Sequence, residues 1–307
     1  MRFTIIGGGA MGCLHGAHLA HAGHDVTFVD IRPEVVAAIN RNGVHLDGVG
    51  GQFNVKVTAT APDSARGTAD VVCVHTDTRG TSVAARLAAN LVGQDGYAIT
   101  FQNGIGNVET LVEVLGSQRV LGGVSYNSAT STGPGCVTHT AARTSWIGEL
   151  QAADTPRASL LAETLTGAGL PTSVSPSIIS VIWSKFVINC AINPIAALTG
   201  LVGHQIAANP AASALQDRLL DELLAFVKAK GVELSDDDPA ATVKGMCRDA
   251  SGKPSMLQHV EAGRPTEIDA LNGAVVRQGR VLGIATCFNE AVTLMVKARS
   301  AGSTRDL

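Results

Sequence analysis

The chain has 307 residues, of which 45% are hydrophobic and 16% are charged, with a formal net charge of −3 and a pI near 6.3. That length is near the size at which a single core gives way to two domains. The slightly acidic balance excludes the basic surface that nucleic acids or anionic membranes attract. We therefore expect neither a nucleic acid nor a membrane as a partner.

The N-terminal residues run from a short β-branched stretch directly into a glycine turn, without the apolar core of a signal peptide. Lys185, Asn189 and Asn193 interrupt the most apolar segment, so no uninterrupted run reaches the roughly 18 residues of a membrane-spanning helix. The six cysteines show no CxxC pair and no Cys–His spacing typical of zinc, which favours small, buried, reduced thiols. We expect a soluble, cytoplasmic protein without a metal site.

Short apolar strands alternate with helical patterns in the first half of the chain. Predicted strands at 2–6 and 26–30 flank a glycine turn and a helix at 10–22. The later predicted elements are a helix at 33–41, a hairpin or two short strands within 44–60, a strand at 71–75, a helix at 82–91, strands at 97–101, 120–130, 137–140 and 145–147, and a helix at 156–168. This alternation predicts an α/β fold with a parallel, doubly wound sheet.

The pattern changes after a short polar segment that Pro171 and Pro176 bracket. From there the apolar spacing is mainly helical, with predicted helices at 177–198, 211–230, 239–250, 266–282 and 289–300. We therefore expect a Rossmann-type dinucleotide-binding domain at residues 1–173 and an all-helical domain at 174–307 that binds the substrate.

A GxGxxG turn formed by Gly7, Gly9 and Gly12 follows the first predicted strand and opens the first predicted helix. The first glycine permits the tight turn, the second lets the backbone approach a pyrophosphate, and the third allows the helix to pack closely on the strand. The helix N-terminus then offers free N–H groups to the phosphates. The pattern predicts dinucleotide binding by the residues of the turn, which are Gly7, Gly8, Gly9, Ala10, Met11 and Gly12.

The choice of cofactor depends on Asp30, which ends the second predicted strand 18 residues after Gly12. A carboxylate there can accept hydrogen bonds from the adenosine ribose of NADH, and it repels the 2′-phosphate of NADPH. Arg32 has the opposite effect, because a guanidinium can bind that phosphate bidentately. These two cofactor-binding residues favour NADH and leave NADPH open.

The segment WSKFVINCAINP, which begins at Trp183, places one cation and two amides in an otherwise apolar run. Lys185, Asn189 and Asn193 are four residues apart, so on a helix that turns about 100° per residue they share one face. The rest of the helix is apolar and is expected to be buried. The polar stripe then either reaches solvent or lines a cleft where a small polar molecule bonds to it.

Several short motifs recur in order along the whole chain. They are GGGAMG at 7–12, QNG at 102–104, KxxxNxxxNP at 185–194, SMLQ at 255–258, and TEID at 266–269 followed by NG at 272–273. This combination resembles the ketopantoate reductase family, the NAD(P)H-dependent 2-dehydropantoate 2-reductases. The resemblance implies reduction of a 2-keto acid to a 2-hydroxy acid, with ketopantoate as the default substrate.

The resemblance also implies roles for the polar side chains of the C-terminal half. Lys185 would be the proton donor, since hydride addition puts negative charge on the keto oxygen and an ammonium can stabilise and protonate it. Asn189 and Asn193 would bind hydroxyl and carbonyl groups of the substrate, and Ser255 its carboxylate. Glu267 would orient both Lys185 and the nicotinamide ribose, which makes Lys185 and Glu267 the expected catalytic pair.

Two residues of the N-terminal half complete the implied site. Asn103 would lie where nicotinamide and substrate meet, and the backbone near Ser128 would contact the cofactor. Each motif residue also has a simpler interpretation, because Asn103-Gly104 fits a turn, Glu267 a first-turn helix carboxylate, and Ser255 a helix cap. The resemblance places the active site in the cleft between the two domains.

The chain departs from the family pattern at two places. Where many members carry a lysine after the fourth strand, residues 75–79 read HTDTR, so Asp77 inverts the local charge unless Arg79 compensates. A further pocket asparagine of the family corresponds to Gly203. These departures leave open another hydroxyacid or opine-type dehydrogenase, and a non-catalytic dinucleotide sensor is an alternative of another class. Apolar helix faces permit a homodimer.

Four histidines of the first predicted helix, His15, His18, His21 and His24, recur at every third residue. Three residues advance a helix by about 300°, so the four side chains spread over about half of its circumference. Such a spread does not bring them to one metal ion. We expect packed or solvated histidines here.

Overall fold

The computed structural model describes residues 1–151 and 155–302 of the chain. They group into two compact units, Met1–Ile179 and Ser180–Leu307. The boundary expected from the sequence, after residue 173, lies a few residues before this division. All strands of the described residues belong to the first unit, and the regular elements of the second are helices, which confirms the predicted fold class.

The first unit contains two sheets, one of eight strands and one of four, within the described residues. The strands are β1 Arg2–Ile6, β2 Asp25–Val29, β3 Val44–Gly48, β4 Phe53–Val55, β5 Thr58–Thr60, β6 Ala69–Val74, β7 Val92–Thr100, β8 Val120–Val124, β9 Ser128–Gly133, β10 Cys136–Ala141, β11 Ser145–Glu149 and β12 Thr172–Val174. Side chains from the central strands, such as Phe3, Ile5, Val71 and Ile99, are buried in one core.

The larger sheet has the strand order β12-β11-β8-β7-β6-β1-β2-β5. The six strands from β8 to β5 are parallel, whereas β11 is antiparallel to β8. The chain leaves β1 towards β2 on one side and later returns to β6 on the other. In doubly wound sheets, a crevice for ligands forms at the carboxyl ends of the strands at such a reversal.

The smaller sheet has the order β4-β3-β10-β9. The predicted hairpin within 44–60 is confirmed as the antiparallel pair β3 and β4, while β5 joins the larger sheet. The single strand predicted at 120–130 is wrong, because β8 ends at Val124 in the larger sheet and β9 begins at Ser128 in the smaller one.

The helices of the first unit are α1 Ala10–His21, α2 Pro33–Asn42, α3 Thr81–Leu91, α4 Asn107–Leu115 and α5 Pro156–Gly167. Four of the five match predicted helices. The sequence analysis missed α4, since glycines at 104 and 106 indicated a turn and hid a short amphipathic segment. That segment nevertheless buries Val108 and Leu111.

The second unit is built from seven helices within its described residues. They are α6 Ile178–Thr199, which begins just before the division, α7 Gly203–Ala208, α8 Pro210–Ala229, α9 Pro239–Asp249, α10 Ser255–Glu261, α11 Asn272–Leu282 and α12 Cys287–Gly302. The short helices α7 and α10 were not predicted, because six or seven residues carry too little periodicity.

The helix predicted at 266–282 begins later than expected, at Asn272. Leu271, the residue before it, has φ −99° and ψ −106°, which is outside the helical region. The Glu267 carbonyl accepts hydrogen bonds from the N–H groups of Ala270 and Leu271, at 2.9 and 3.1 Å. Glu267 therefore lies in a compact turn, and its interpretation as a first-turn helix carboxylate is wrong.

The core of the second unit centres on α6. Trp183 contacts Phe186 edge-on at 5.7 Å between ring centroids and Phe226 of α8 at 5.9 Å. By length and mean hydropathy, α6 is the one helix of the described residues that could cross a membrane, which its interrupted sequence had argued against. Since 61% of its apolar window is buried inside the protein, we assign it as a core helix.

All six cysteines lie within the described residues and are free thiols. Cys13, Cys73, Cys190 and Cys247 are buried, as predicted, and Cys136 is half-buried. The prediction of burial is wrong for Cys287, which is exposed at the start of α12.

Candidate active site

The glycine turn lies at the carboxyl end of β1. Gly7 has φ +106°, a conformation that favours glycine, and its N–H donates to the Val29 carbonyl at 2.8 Å. Gly9 is the N-cap of α1, and the first helical hydrogen bond runs from the Cys13 N–H to the Gly9 carbonyl at 2.8 Å. The amides of the first turn precede this bond and can therefore bind phosphate oxygens.

The three motif glycines differ in the space around them. A Cβ atom on Gly7 would lie 2.8 Å from the His75 carbonyl, and one on Gly12 would lie 1.8 Å from the Gly7 oxygen. A Cβ atom on Gly9 would meet nothing within 4 Å. Gly7 and Gly12 therefore serve close packing within the turn, whereas Gly9 borders open space.

Asp30 follows β2 and is 5% exposed, with both carboxylate oxygens in use. Oδ1 accepts from the Arg32 amide and Nε, each at 2.9 Å, and Oδ2 accepts from the Gly8 N–H at 2.7 Å and from Arg32 Nη2 at 2.9 Å. Burial alone would raise the pKa of Asp30, but these hydrogen bonds outweigh it and hold the pKa below its ordinary value. Four donors saturate a carboxylate, so a ribose hydroxyl would have to displace one of them.

The loops after β6 and β7 are tied together beside the glycine turn. Gln102, which follows β7, donates from Nε2 to the Thr76 carbonyl at 2.8 Å and to the Thr81 hydroxyl at 2.9 Å. Asn103 comes next and is half-buried, and its carbonyl accepts from Asn107 Nδ2 at 2.9 Å. Gly104 has φ +90°, which agrees with the simpler interpretation of Asn103-Gly104 as a turn.

Ser128 lies at the first position of β9, four residues after β8 ends, and is exposed. Because β8 is parallel to β7, the segment that leads to Ser128 leaves the same edge of the sheet as Gln102 and Asn103. Asp30, Asn103 and the glycine turn thus follow the carboxyl ends of three parallel strands.

Asp77 and Arg79 offset each other. Asp77 caps the 3-10 turn Thr78–Gly80, where its Oδ1 accepts from the Gly80 N–H at 2.9 Å. Its Oδ2 lies 3.2 Å from Arg79 Nη2, and both side chains are exposed. The negative charge at this departure from the family pattern is therefore paired within the same loop.

The four histidines, three on α1 and His24 just after it, enter different surroundings. His15 stacks on His75, His18 Nδ1 donates to the Ala168 carbonyl at 2.9 Å, His21 stacks on Phe53, and His24 lies 3.3 Å from the N-terminal amine.

A pair of imidazoles, the buried His15 and the half-buried His75, lies beneath the glycine turn. Their rings stack at 4.7 Å, and His15 Nδ1 lies 3.1 Å from His75 Nε2. Burial lowers the pKa of His75 to about 4, and burial together with the nearby His75 lowers the pKa of His15 well below its ordinary value. Both rings are therefore neutral at neutral pH. The sequence analysis did not predict that His15 and His75 form a pair.

This pair predicts that acid destabilises the first unit. In the unfolded chain His75 titrates near 6.5 and in the folded protein near 4, so the unfolded state binds more protons between these values. The contribution of His75 to the free energy of unfolding is fully present above pH 6.5. It is lost as the pH drops towards 4, and it amounts to about 3 kcal/mol. Denaturant unfolding at pH 7.5 and 5 should show a smaller difference for His75→Gln than for wild type. The exposed His21→Gln variant should keep the wild-type difference, and an unchanged difference in His75→Gln would contradict the assignment.

In the second unit, the face of α6 carries Lys185, Asn189 and Asn193 as predicted. Asn193 is buried, and Lys185 and Asn189 are half-buried. Their apolar neighbours Phe186 and Cys190 are fully buried. A fully solvated stripe, which the sequence left open, does not fit this burial.

Lys185 and Glu267 interact although 82 residues separate them. Burial lowers the pKa of Lys185 to about 8, while the negative charge of Glu267 acts in the opposite direction. A lysine with this pKa is mostly protonated at neutral pH and can still release its proton readily, which suits a general acid.

Ser255 and Gly203 complete the predicted positions of this unit. Ser255 is the first residue of α10 and is exposed; Pro254 is the N-cap, so the interpretation of Ser255 as the cap is wrong. A Cβ atom on Gly203 would lie 2.6 Å from the Cys247 carbonyl and 2.7 Å from the Ala250 Cβ. Glycine at this position therefore lets α7 pack closely against α9.

Comparison with known proteins identifies the family. The sequence profile described as "Ketopantoate reductase PanE/ApbA" matches residues 3–152, and the profile "Ketopantoate reductase PanE/ApbA C terminal" matches residues 177–300. This chain belongs to the ketopantoate reductase family. It is 31% identical to the 2-dehydropantoate 2-reductase of Aquifex aeolicus over 314 residues, which cover 100% of this chain and 99% of the relative. It is 29% identical to that of Pyrococcus horikoshii, over 98% of both chains.

Solved structures show the same fold. A ketopantoate reductase from Ralstonia eutropha superposes with a TM-score of 0.89 at 30% identity, over 99% of this chain and 100% of the other. A D-mandelate dehydrogenase with NADH and anilino(oxo)acetate superposes with a TM-score of 0.90 at 23% identity, over 98% and 99% of the two chains, and this likeness concerns the fold alone.

Membership in the ketopantoate reductase family makes the chain an NAD(P)-dependent oxidoreductase that acts on a CH–OH group. The non-catalytic sensor and the opine-type dehydrogenase, which the sequence left open, are not favoured by these relatives.

Proposed function

We propose that the chain reduces 2-dehydropantoate (ketopantoate) to pantoate with a reduced nicotinamide dinucleotide. The observation that carries this proposal is Lys185, a half-buried lysine with a pKa near 8 that shares a helix face with two amides and interacts with Glu267. A keto group needs a proton donor of this kind when it is reduced. The choice of ketopantoate as the substrate is supported by the relatives that are named 2-dehydropantoate 2-reductase.

In the proposed reaction, the glycine turn would hold a reduced nicotinamide dinucleotide, which would supply a hydride to the keto carbon and be left in its oxidised form. As the new C–H bond forms, the carbonyl π electrons move to oxygen, and the Lys185 ammonium stabilises that oxygen and protonates it. The products are the secondary alcohol and a neutral lysine, which regains a proton from solvent. Glu267 favours the charged form of Lys185 and so restores the acid for the next turnover.

Polar side chains around Lys185 would orient the substrate. Amide groups of Asn189 and Asn193 can donate to hydroxyl and carbonyl oxygens, and the Ser255 hydroxyl can donate to the carboxylate. Asn103, which follows β7 at the edge that carries the glycine turn, is proposed to contact both nicotinamide and substrate. The backbone near Ser128 is proposed to contact the cofactor.

The hydrogen bonds of Asp30 favour NADPH as a cofactor, whereas the sequence alone favoured NADH. Asp30 is saturated by its own chain, which weakens its expected role as a ribose acceptor. The side-on pairing engages Nε and Nη2 of Arg32, and the Arg32 side chain is 48% exposed. Its outer Nη1 edge can bind a 2′-phosphate while the ion pair stays intact.

We expect the Arg32→Ala variant to lower kcat/KM for NADPH by about tenfold or more, because a charge-assisted bond to the phosphate is lost and Asp30 is left to repel it. For NADH, kcat/KM should stay level or rise, since Asp30 becomes free to accept from the ribose. The exposed Arg41→Ala variant, near the end of the helix α2 that Arg32 precedes, serves as the control. An equal loss with both cofactors would contradict this role of Arg32.

The proposed function is tested by following oxidation of NADPH and NADH with a panel of 2-keto acids. Ketopantoate should give the highest kcat/KM of the panel. A clearly better keto acid would overturn the substrate and favour another hydroxyacid dehydrogenase, and no oxidation with any keto acid would overturn the reaction itself.

A further inference from the structure

Pro194 lies inside α6 and removes one hydrogen bond from that helix. A helical N–H bonds to the carbonyl four residues earlier, and proline has no N–H, so the Cys190 carbonyl loses its helical partner. Cys190 is fully buried, where a carbonyl without a donor is costly. Cys190 lies between Asn189 and Asn193, two of the proposed substrate ligands.

Asn272 supplies the missing donor. Its side chain is 0% exposed at the start of α11, and its Nδ2 donates to the Cys190 carbonyl at 2.9 Å. The same NH₂ group donates its other hydrogen to Asn289 Oδ1, also at 2.9 Å. The Asn-Pro pair of α6 and the Asn-Gly pair at the start of α11 are thus joined through one backbone carbonyl.

The direction of these hydrogen bonds is set by Glu222 of α8. Its carboxylate only accepts, and it accepts from Asn289 Nδ2 at 2.8 Å and from the backbone N–H groups of Phe288 and Asn289, each at 2.9 Å. Asn289 must therefore turn its Oδ1 towards Asn272, and Asn272 must turn its NH₂ towards Cys190. Within the described residues Asn272 Oδ1 accepts no hydrogen bond, so this side chain acts only as a donor.

We propose that Asn272 is a positioning residue, which replaces the hydrogen bond that Pro194 removes and so holds the α6 backbone between Asn189 and Asn193 in the conformation that binds substrate. The inference rests on the proposed function, since those two asparagines act as ligands only if a keto acid is reduced. Glu222 and Asn289 support the role by orienting the Asn272 amide.

The test is a double-mutant cycle between Asn272→Leu and Pro194→Ala. Leucine has the same branched shape and number of heavy atoms as asparagine, although it is bulkier, and it removes the donor. The variant should therefore unfold at a lower temperature, and its KM for the keto acid should rise by about tenfold. Its Kd for NADPH should stay at the wild-type value, because the dinucleotide residues belong to the other unit. Alanine at position 194 restores a helical N–H for the Cys190 carbonyl. In the Pro194→Ala background, Asn272→Leu should therefore lower the unfolding temperature by about half as much as it does in the wild type, or less.

A matched control is Asn40→Leu in the first unit. Asn40 also pairs its amide with backbone groups, donating to the Ala59 carbonyl and accepting from the Ala59 N–H at 2.8 Å each. This variant should lose stability without a change in KM for the keto acid. The isosteric Asn272→Asp variant should be more harmful than Asn272→Leu, because it sets an acceptor against two acceptors.

Additive effects of Asn272→Leu and Pro194→Ala on unfolding would overturn the link between these two residues. A folded Asn272→Leu enzyme with the wild-type KM and kcat would overturn the positioning role. Wild-type protein that reduces no keto acid would contradict the proposed function and, with it, the positioning role. The thermodynamic link between Asn272 and Pro194 is measured by unfolding alone, so it is tested even if the protein reduces no keto acid.

Discussion

Replacing Lys185 with alanine is expected to lower kcat for keto acid reduction by about 10²-fold or more, because the charge that stabilises and protonates the keto oxygen is lost. Binding of NADPH should survive, since the glycine turn and Arg32 lie in the other unit. Steady-state kinetics and a cofactor titration separate the two effects. Lys228→Ala, which removes an exposed lysine from α8, should retain wild-type kinetics. An active Lys185→Ala enzyme would remove the proposed acid.

The pH profile gives an independent check on Lys185. Its pKa is about 8, so kcat/KM for reduction should be level below that pH and fall above it as the ammonium is lost. Oxidation of the alcohol needs the neutral amine and should show the opposite limb. Glu267 raises the pKa of Lys185, so Glu267→Gln should move both limbs to lower pH. A shift to higher pH would contradict the interaction.

The second large effect concerns the glycine turn, where two substitutions should act differently. Gly12→Ala should disrupt the turn and destabilise the first unit severely, because its Cβ would lie 1.8 Å from the Gly7 oxygen. Gly9→Ala should fold as wild type, because its Cβ meets nothing within 4 Å, yet it should weaken NADPH binding by about tenfold or more where the pyrophosphate approaches.

Thermal unfolding and fluorescence titration with NADPH distinguish these two effects. Gly23→Ala is not a suitable control, because Gly23 has φ +89°. Gly167 at the end of α5 has open space at its Cβ and lies outside the turn, so Gly167→Ala should preserve both stability and binding. Wild-type affinity in Gly9→Ala would show that the open space at this glycine does not hold the dinucleotide.

The sequence predicted the parts of the fold that local periodicity encodes. Alternation of β-branched runs and helical spacing indicated the parallel sheet, and the spacing of Lys185, Asn189 and Asn193 placed them on one helix face. The predicted start of the helix at 266–282 was wrong, because TEID satisfies helical spacing although the backbone at Leu271 lies outside the helical region, and α11 begins only after it. Local pattern cannot register a single residue that leaves the helical region.

Contacts between distant residues decided what the sequence could not. Asp30 and Arg32 had opposite implications for the cofactor when each was considered alone, but they form one bidentate pair. Asn272 lies 82 residues from Cys190, so nothing in either segment indicates the bond that joins them. The lowered pKa of Lys185 likewise depends on burial, which arises only when the chain folds.

The packing of Trp183 against Phe186 and Phe226 has a spectroscopic consequence. The chain has two tryptophans, and the other, Trp146, lies on β11 of the first unit. Each unit therefore carries its own intrinsic fluorophore. The Trp146→Phe variant would report the emission of the helical unit and the Trp183→Phe variant that of the dinucleotide unit, so the melting of the two units could be compared.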